Sequence, residues 1–434
     1  MRLDTDPYLE RYASRVRGMS ASAIRALFAV ASRPEIVSFA GGNPAVEALD
    51  FEAVEDVVRQ VIRDAGATAL QYGVGQGRPE LREHLVTVMG AEGITAHADE
   101  LIVTAGGQQA LELVASCFVD PGDIVIAEGP TYVGGIGALA SCQADVRHVA
   151  MDDHGMQVDQ LEDLLAELQR EGRRAKYIYT IPNHQNPGGV SLSVERRHRL
   201  AELADAYDVM VLEDNPYGLL DFAGKVYPSI RELIPDRTIY VGTVSKTFAP
   251  GVRTGWIAAP APVRDKLVLL REAADLCPSS LTQMVVETWF ATQPWREQID
   301  SFRDVYREKA EAMLRALDEE MPPGVSWTRP SGAFYIWMTV PAGIDTDDLA
   351  AKAIGRRVAF VPGRGFYADG SGGDRLRLCY SQPSPERIRE GVTRFGELLY
   401  DELALVRAVY GTHGAPEPRA RPADPAPSRG QEPG

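Results

Sequence analysis

Between residues 101 and 259 the chain repeats one unit: a short apolar run, a turn rich in glycine or proline, and then, in most units, a helical stretch. The runs fall at 101–104, 123–127, 146–151, 177–181, 209–212, 238–242 and 255–259. They are apolar almost throughout rather than at every second residue, so they read as strands buried on both faces. Strands of this kind separated by helices predict an α/β fold built on a mostly parallel mixed sheet with helices on both sides. In such sheets ligand groups gather at the carboxyl ends of the strands.

Three of these ends carry chemistry. Asn186, Asp214 and Lys246 are expected just beyond their strands. Lys246 lies in Thr243-Val244-Ser245-Lys246-Thr247-Phe248-Ala249-Pro250-Gly251-Val252-Arg253. The hydroxyls of Thr243 and Ser245 donate hydrogen bonds and Arg253 adds a permanent charge, a combination that suits phosphate. A lysine among them can form a Schiff base with the aldehyde of pyridoxal phosphate. A surface turn with a solvated lysine fits the same stretch. Upstream, the strand at 101–104 enters Ala105-Gly106-Gly107-Gln108-Gln109 and a helix, where free N–H groups and the helix dipole favour an anion. An ordinary tight turn fits there equally, and the pattern is neither GxGxxG nor a P-loop.

Around this centre, Ile24, Leu27, Phe28 and Ala31 have helical spacing, with Arg25 projecting from the helix. A short strand then breaks into Gly41-Gly42-Asn43-Pro44, an amphipathic helix covers 51–65, and a glycine-rich loop carrying Tyr72 ends at Pro79, the favoured first residue of a helix. Helices are also expected at 158–172, with a solvated outer face, and at 194–207. From about residue 296 a long helix, strands near 325–328, 332–338, 358–361 and 376–381, a helix at 346–355 and a final helix from Ser384 to about Val406 predict a smaller α+β domain. Its aromatic stripe, Phe334, Tyr335 and Trp337, reads as core. Residues 412–434, rich in Pro, Gly and Ala, read as a disordered tail. The domain division is therefore an N-terminal arm at 1–45, a large domain at 46–295, a small domain at 296–411, and the tail.

A net charge of -16 argues against nucleic acid or an anionic membrane as partner. Four dispersed cysteines without a CxxC pattern predict free thiols, and neither a signal peptide nor a membrane span is read in the sequence. A soluble cytoplasmic protein is expected.

Seven motifs in order then add a family. They are SFAGGNP at 38–44, LQYGVGQGRPELREHL at 70–85, TAGGQQAL at 104–111, NHQNPGG at 183–189, EDNPY at 213–217, TVSKTFAPGVR at 243–253 and LRLCYS at 376–381. With them the chain, from about residue 14 to 406, resembles the pyridoxal-phosphate-dependent aminotransferases of fold type I, and among these the 2-aminoadipate/kynurenine aminotransferase group. The resemblance implies that Lys246 bonds the cofactor and moves the proton, that Asp214 pairs with the pyridinium nitrogen, and that Tyr217 and Asn186 bond the phenolic oxygen. It implies that Tyr132 stacks on the ring, and that Gly107, Gln108, Thr243, Ser245 and Arg253 cradle the phosphate. Tyr72 would reach the neighbouring subunit's cofactor, making the active unit a homodimer. Arg377 would clamp the substrate α-carboxylate and Gly42 would line the substrate site. Arg25 would meet an acidic substrate's distal carboxylate, or be a plain surface charge.

Two positions depart from the group: Gly107 stands where serine is common, and Thr243 where serine is usual. The expected reaction is ping-pong transfer of an amino group from an L-amino acid of 2-aminoadipate, aromatic or branched-chain type to a 2-oxo acid such as 2-oxoglutarate. No metal ion is expected. A lyase or decarboxylase on the same scaffold is the alternative within this chemistry. A cofactor-sensing transcription regulator is the alternative from another class, and no DNA-binding module is expected ahead of residue 14.

Overall fold

The computed structural model describes residues 6–17 and 33–410, with side chains described to residue 408. Arg25, the helix expected around it and the tail at 412–434 lie outside the described residues. In chain order the strands are β1 (Val37–Ser38), β2 (Leu101–Thr104), β3 (Ile124–Gly129), β4 (Asp145–Asp152), β5 (Gly155–Met156), β6 (Ala175–Thr180), β7 (Met210–Asp214), β8 (Thr238–Thr243), β9 (Gly255–Ala258), β10 (Ser326–Trp327), β11 (Tyr335–Thr339), β12 (Val358–Ala359), β13 (Val361–Pro362) and β14 (Arg375–Cys379).

An eight-stranded sheet runs in the order β2-β9-β8-β7-β6-β3-β4-β5. Its centre, β8-β7-β6-β3-β4, is parallel. The pairings β2-β9, β9-β8 and β4-β5 are antiparallel. The apolar runs explain the layers. Ile124, Ile126, Ile178 and Val211 point to one face, against Leu161, Leu165, Leu200 and Leu203 of the helices Val158–Arg170 and Val194–Ala206. Val125, Ala127, Tyr177, Tyr179 and Leu212 point to the other, into the main core. Period-two alternation with both faces apolar leaves a strand no solvated side.

Helix starts follow local chemistry. Asp50 accepts from the Ala53 N–H at 3.0 Å ahead of Phe51–Ala69, and Ser193 accepts from the Arg196 N–H at 3.3 Å ahead of Val194–Ala206. Pro79 opens the helix Pro79–Ala91.

The remaining strands form an antiparallel sheet, β10-β11-β14-β13, and a parallel pair, β1-β12. The long helices Trp295–Glu320 and Pro385–Tyr410 pack on each other beside this smaller α+β layer. The single strand expected at 358–361 is two, since Val358–Ala359 pairs with β1 while Val361–Pro362 pairs with β14. No helix among the described residues is long and apolar enough to cross a membrane.

Candidate active site

β8 ends at Thr243 and the chain turns through Val244 and Ser245, so that Lys246 faces a cavity of ≈ 300 Å³. Its wall includes Gly42, Gly107, Gln108, Tyr132, Asn186, Asp214, Tyr217, Thr243, Ser245, Arg253, Tyr335 and Arg377. A wider cleft of ≈ 580 Å³, lined by His148, Trp327, Tyr367 and Arg375, contains neither Lys246 nor Asp214. The converging ionisable groups therefore belong to the smaller cavity.

The Lys246 amine donates to the Gly42 carbonyl at 2.8 Å and stands 5.8 Å from the Phe334 ring centre. Burial lowers its pKa to about 8, helped by the positive charges of Arg377 and Arg253. About a tenth of the amine is thus uncharged, and so nucleophilic and basic, at pH 7, far more than for an ordinary lysine. Asp214 is the last residue of β7 rather than a residue beyond it. Its Oδ2 accepts from the Tyr179 hydroxyl at 2.9 Å, and burial raises its pKa to about 7 although that hydrogen bond opposes the shift. A buried carboxylate with only a neutral donor becomes fully ionised when a cationic N–H is brought to it.

At one part of the wall, the Thr243 and Ser245 hydroxyls lie 2.9 Å apart and Gly107 is the first residue of the helix Gly107–Phe118. Gly106 precedes it at φ 79, which favours glycine, and a side chain there would run into the Arg253 guanidinium. Arg253, itself left-handed at φ 46, donates to the Ala105 carbonyl at 3.0 Å. Gln108 is exposed and donates to the Gly134 carbonyl at 2.9 Å. At another part, Arg377 is buried. Its Nη1 donates to Asn186 Oδ1 at 3.0 Å and its Nη2 to the Ala40 and Gly41 carbonyls at 3.0 Å, while its Nε has no partner. Among the described residues none of Lys246, Arg253 and Arg377 has a carboxylate oxygen within ion-pair distance.

Two cationic groups, Arg253 in the turn between β8 and β9 and Arg377 on β14, beside an amine and a buried carboxylate, suit a ligand with two anionic groups and one basic ring nitrogen. The donor set beside Gly107 fits a phosphate, and the Arg377–Asn186 pair fits a carboxylate. Pyridoxal phosphate and an amino acid meet this description together.

Tyr132 is half-buried at the start of the helix Val133–Ser141, and burial raises its hydroxyl pKa. Tyr217 is buried and donates to the Tyr335 hydroxyl at 3.5 Å. Tyr72 is not in this cavity: its side chain is 78% exposed beside the exposed Leu70 and Val74. Arg25 lies outside the described residues.

Three residues escape the sequence reading. Phe334, Tyr335 and Trp337 are all buried as the stripe predicts, and Tyr335 in addition forms part of the cavity wall. Tyr179 is the partner of Asp214. Glu128 is buried at the end of β3 and accepts from Thr180 at 2.6 Å, from the Ile181 N–H at 3.1 Å and from Gln185 at 3.0 Å. Gln185 also donates to the Pro130 carbonyl at 2.7 Å and accepts from the Gly188 N–H at 2.6 Å, tying the loop that leads to Tyr132 to the loop that carries Asn186. The Glu-Gly-Pro turn at 128–130 was the only available signal for Glu128. Among the described residues no cluster of three or more His, Cys, Asp or Glu side chains is placed to hold a metal.

Residues 34–395 match the family model described as aminotransferase class I and II. The chain is 38% identical over 398 residues to aromatic-amino-acid aminotransferase 1 of Thermococcus litoralis, covering 91% of this chain and 95% of that protein. It is 38% identical over 392 residues to the 2-aminoadipate transaminase of Thermus thermophilus, covering 89% and 96%. The crystal structure of an alpha-aminoadipate aminotransferase from Thermus thermophilus, complexed with N-(5'-phosphopyridoxyl)-L-leucine, superposes with a TM-score of 0.85 at 36% identity, covering 92% of this chain and 99% of that one. With the sheet order and the cavity chemistry above, these similarities identify the chain as a member of the class I and II aminotransferases, a pyridoxal-phosphate-dependent transaminase of fold type I.

Proposed function

We propose that this aminotransferase takes its amino group from an L-amino acid of the 2-aminoadipate, aromatic or branched-chain type and delivers it to a 2-oxo acid, 2-oxoglutarate first among them, in a ping-pong cycle. The observation that carries this reading is the placing of Arg253, between β8 and β9, and Arg377, on β14, in the cavity that holds Lys246 and Asp214, each free of carboxylate partners among the described residues. The aromatic and 2-aminoadipate donor classes follow the names of the relatives above, and the branched-chain class the leucine portion of the ligand in the Thermus thermophilus structure.

When bound, pyridoxal phosphate supplies an aldehyde carbon that can carry the amino group and a ring that withdraws electrons from the substrate α-carbon. Lys246 would hold the cofactor covalently and, once displaced by the amino acid, take the α-proton on its Nζ. Its pKa of about 8 suits both tasks near neutral pH. Asp214 would keep the ring nitrogen protonated, with Tyr179 fixing the carboxylate. Tyr217 and Asn186 would bond the phenolic oxygen and Tyr132 would cover the ring. Gly107, Gln108, Thr243, Ser245 and Arg253 would hold the phosphate, and Arg377 with Asn186 the substrate carboxylate, with Gly42 beneath it.

The same reading makes the active unit a homodimer, with Tyr72 reaching the other copy's phosphate. Its exposure beside Leu70 and Val74 supports a face covered by a second chain. It keeps the division at 1–45, 46–295, 296–411 and 412–434, and assigns the distal carboxylate of an acidic donor to Arg25. It places the enzyme in the cytoplasm, supported by four cysteines free of disulfides.

The test is a donor panel with 2-oxoglutarate, following glutamate and the absorption change from the pyridoxal to the pyridoxamine form. At least one donor class should produce both signals. A cofactor spectrum that no donor shifts would refute the reading.

A further inference from the structure

Tyr335 stands on β11, beside the substrate clamp. Its side chain is buried, and the Arg377 guanidinium lies 4.5 Å from its ring centre, a cation–π distance. Its hydroxyl accepts from Tyr217 at 3.5 Å, and its own proton has no acceptor among the described residues. A buried phenol with an unspent donor loses hydrogen bonding relative to water unless something in the cavity accepts. Burial also keeps this phenol protonated at any working pH. Gly42 fits the same picture, since a Cβ there would lie 2.7 Å from the Tyr335 hydroxyl oxygen and 3.9 Å from Arg377 Nη2. Gly42 is bare where the hydroxyl stands.

We infer that the Tyr335 hydroxyl is a second donor to the substrate carboxylate held by Arg377, and so a specificity-determining contact that selects carboxylate substrates. The inference rests on the proposed use of Arg377 as carboxylate clamp. Arg377 supplies charge and its direction is fixed by Asn186, Ala40 and Gly41. Tyr335 supplies a neutral donor from the aromatic floor beneath it. A competing role would act through Tyr217, by changing how that hydroxyl bonds the cofactor.

The experiment compares the holoenzyme with its Y335F variant, which keeps the ring and removes only the oxygen. Dissociation constants are measured for 3-phenylpropionate and glutarate, carboxylates without an amino group, from the change in cofactor absorption. Y335F should weaken both by about tenfold, the effect of one hydrogen bond to a charged group, while the pH midpoint of cofactor absorption stays in place. Unchanged affinity for both acids overturns the inference, and so does a shifted midpoint with unchanged affinity, which would assign the hydroxyl to Tyr217. A second variant guards against misfolding as the cause. G42A should weaken the acids in the wild-type background by crowding the hydroxyl, and should cost no more than about twofold further in the Y335F background. Equal losses in both backgrounds count against it. These are equilibrium measurements without turnover, so they stand apart from failure of the donor panel.

Discussion

Arg377 Nη1 donates to Asn186 Oδ1 at 3.0 Å, joining a strand of the four-stranded sheet to a loop of the eight-stranded one. Asn186 thereby fixes the plane of the guanidinium, and Gln185 and Glu128 fix the loop that carries Asn186. Lysine cannot reproduce a planar fork. Arg377→Lys should raise KM for amino and oxo acids on the order of 100-fold and leave the cofactor absorption unchanged. Steady-state kinetics and a spectrum check this, and a loss of cofactor would show that Arg377 holds the wrong ligand.

Lys246 gives a pH signature. Only its neutral amine can bond an aldehyde, and below its pKa that fraction falls about tenfold per pH unit. With the pKa depressed to about 8, the rate of cofactor capture by the apoenzyme should rise with pH and level off above about 8. Stopped-flow absorbance reads the rate. A midpoint near the ordinary lysine value of 10.5 would contradict the burial account.

Asp214→Asn leaves the shape and removes the charge. Amino-group transfer should fall on the order of 100-fold or more, as when one preorganised electrostatic contact to a developing charge is lost. Lys246 should still bond the cofactor. Tyr179→Phe should weaken activity less, because it removes a donor to Asp214 and leaves the carboxylate.

Stability should also depend on buried carboxyls. Glu92, hydrogen-bonded by Tyr240 and Asn215, has its pKa raised by burial to about 8. Its ordinary value is 4.5, so the folded state binds the proton more tightly than the unfolded one. That contribution is full below about pH 4 and is lost as pH rises toward about 8, at about 1.4 kcal/mol per unit. Glu92→Gln should flatten the apoenzyme's stability profile between pH 5 and 8, measured by urea unfolding. A slope equal to the wild type's would mean that Glu92 titrates normally.

The proposed homodimer has a complementation test. Lys246→Ala and Tyr72→Ala homodimers should each show little activity, and remixing the subunits should restore it, because a hybrid dimer contains one site with both residues intact. No recovery in hybrids that demonstrably form would place Tyr72 outside the neighbouring site.

The strand–helix repeat was enough to expect the sheet, because it depends on neighbours in the chain, while the cofactor class and most of the cavity wall came from the family resemblance that the seven ordered motifs carry. Continuous apolar runs demand two covered faces, and a glycine turn followed by a helix makes an anion site wherever the helix points. What needed the tertiary structure is whatever depends on which side of a strand meets which other segment. Phe334 and Tyr335 are adjacent, aromatic and buried, yet Tyr335 alone of the two also lines the cavity, beside Arg377. Glu128 and Glu92 look like surface charges in the sequence, but the fold buries both and matches each to donors distant in the chain. Phe360 divides one expected strand because Val358 and Val361 find partners in different sheets. The sequence by itself determined the repeat, the turn chemistry and the order of the motifs. Only the tertiary structure decided which buried polar groups would face one another, because burial, and with it the pKa of Lys246 and Asp214, is set by segments far away in the chain.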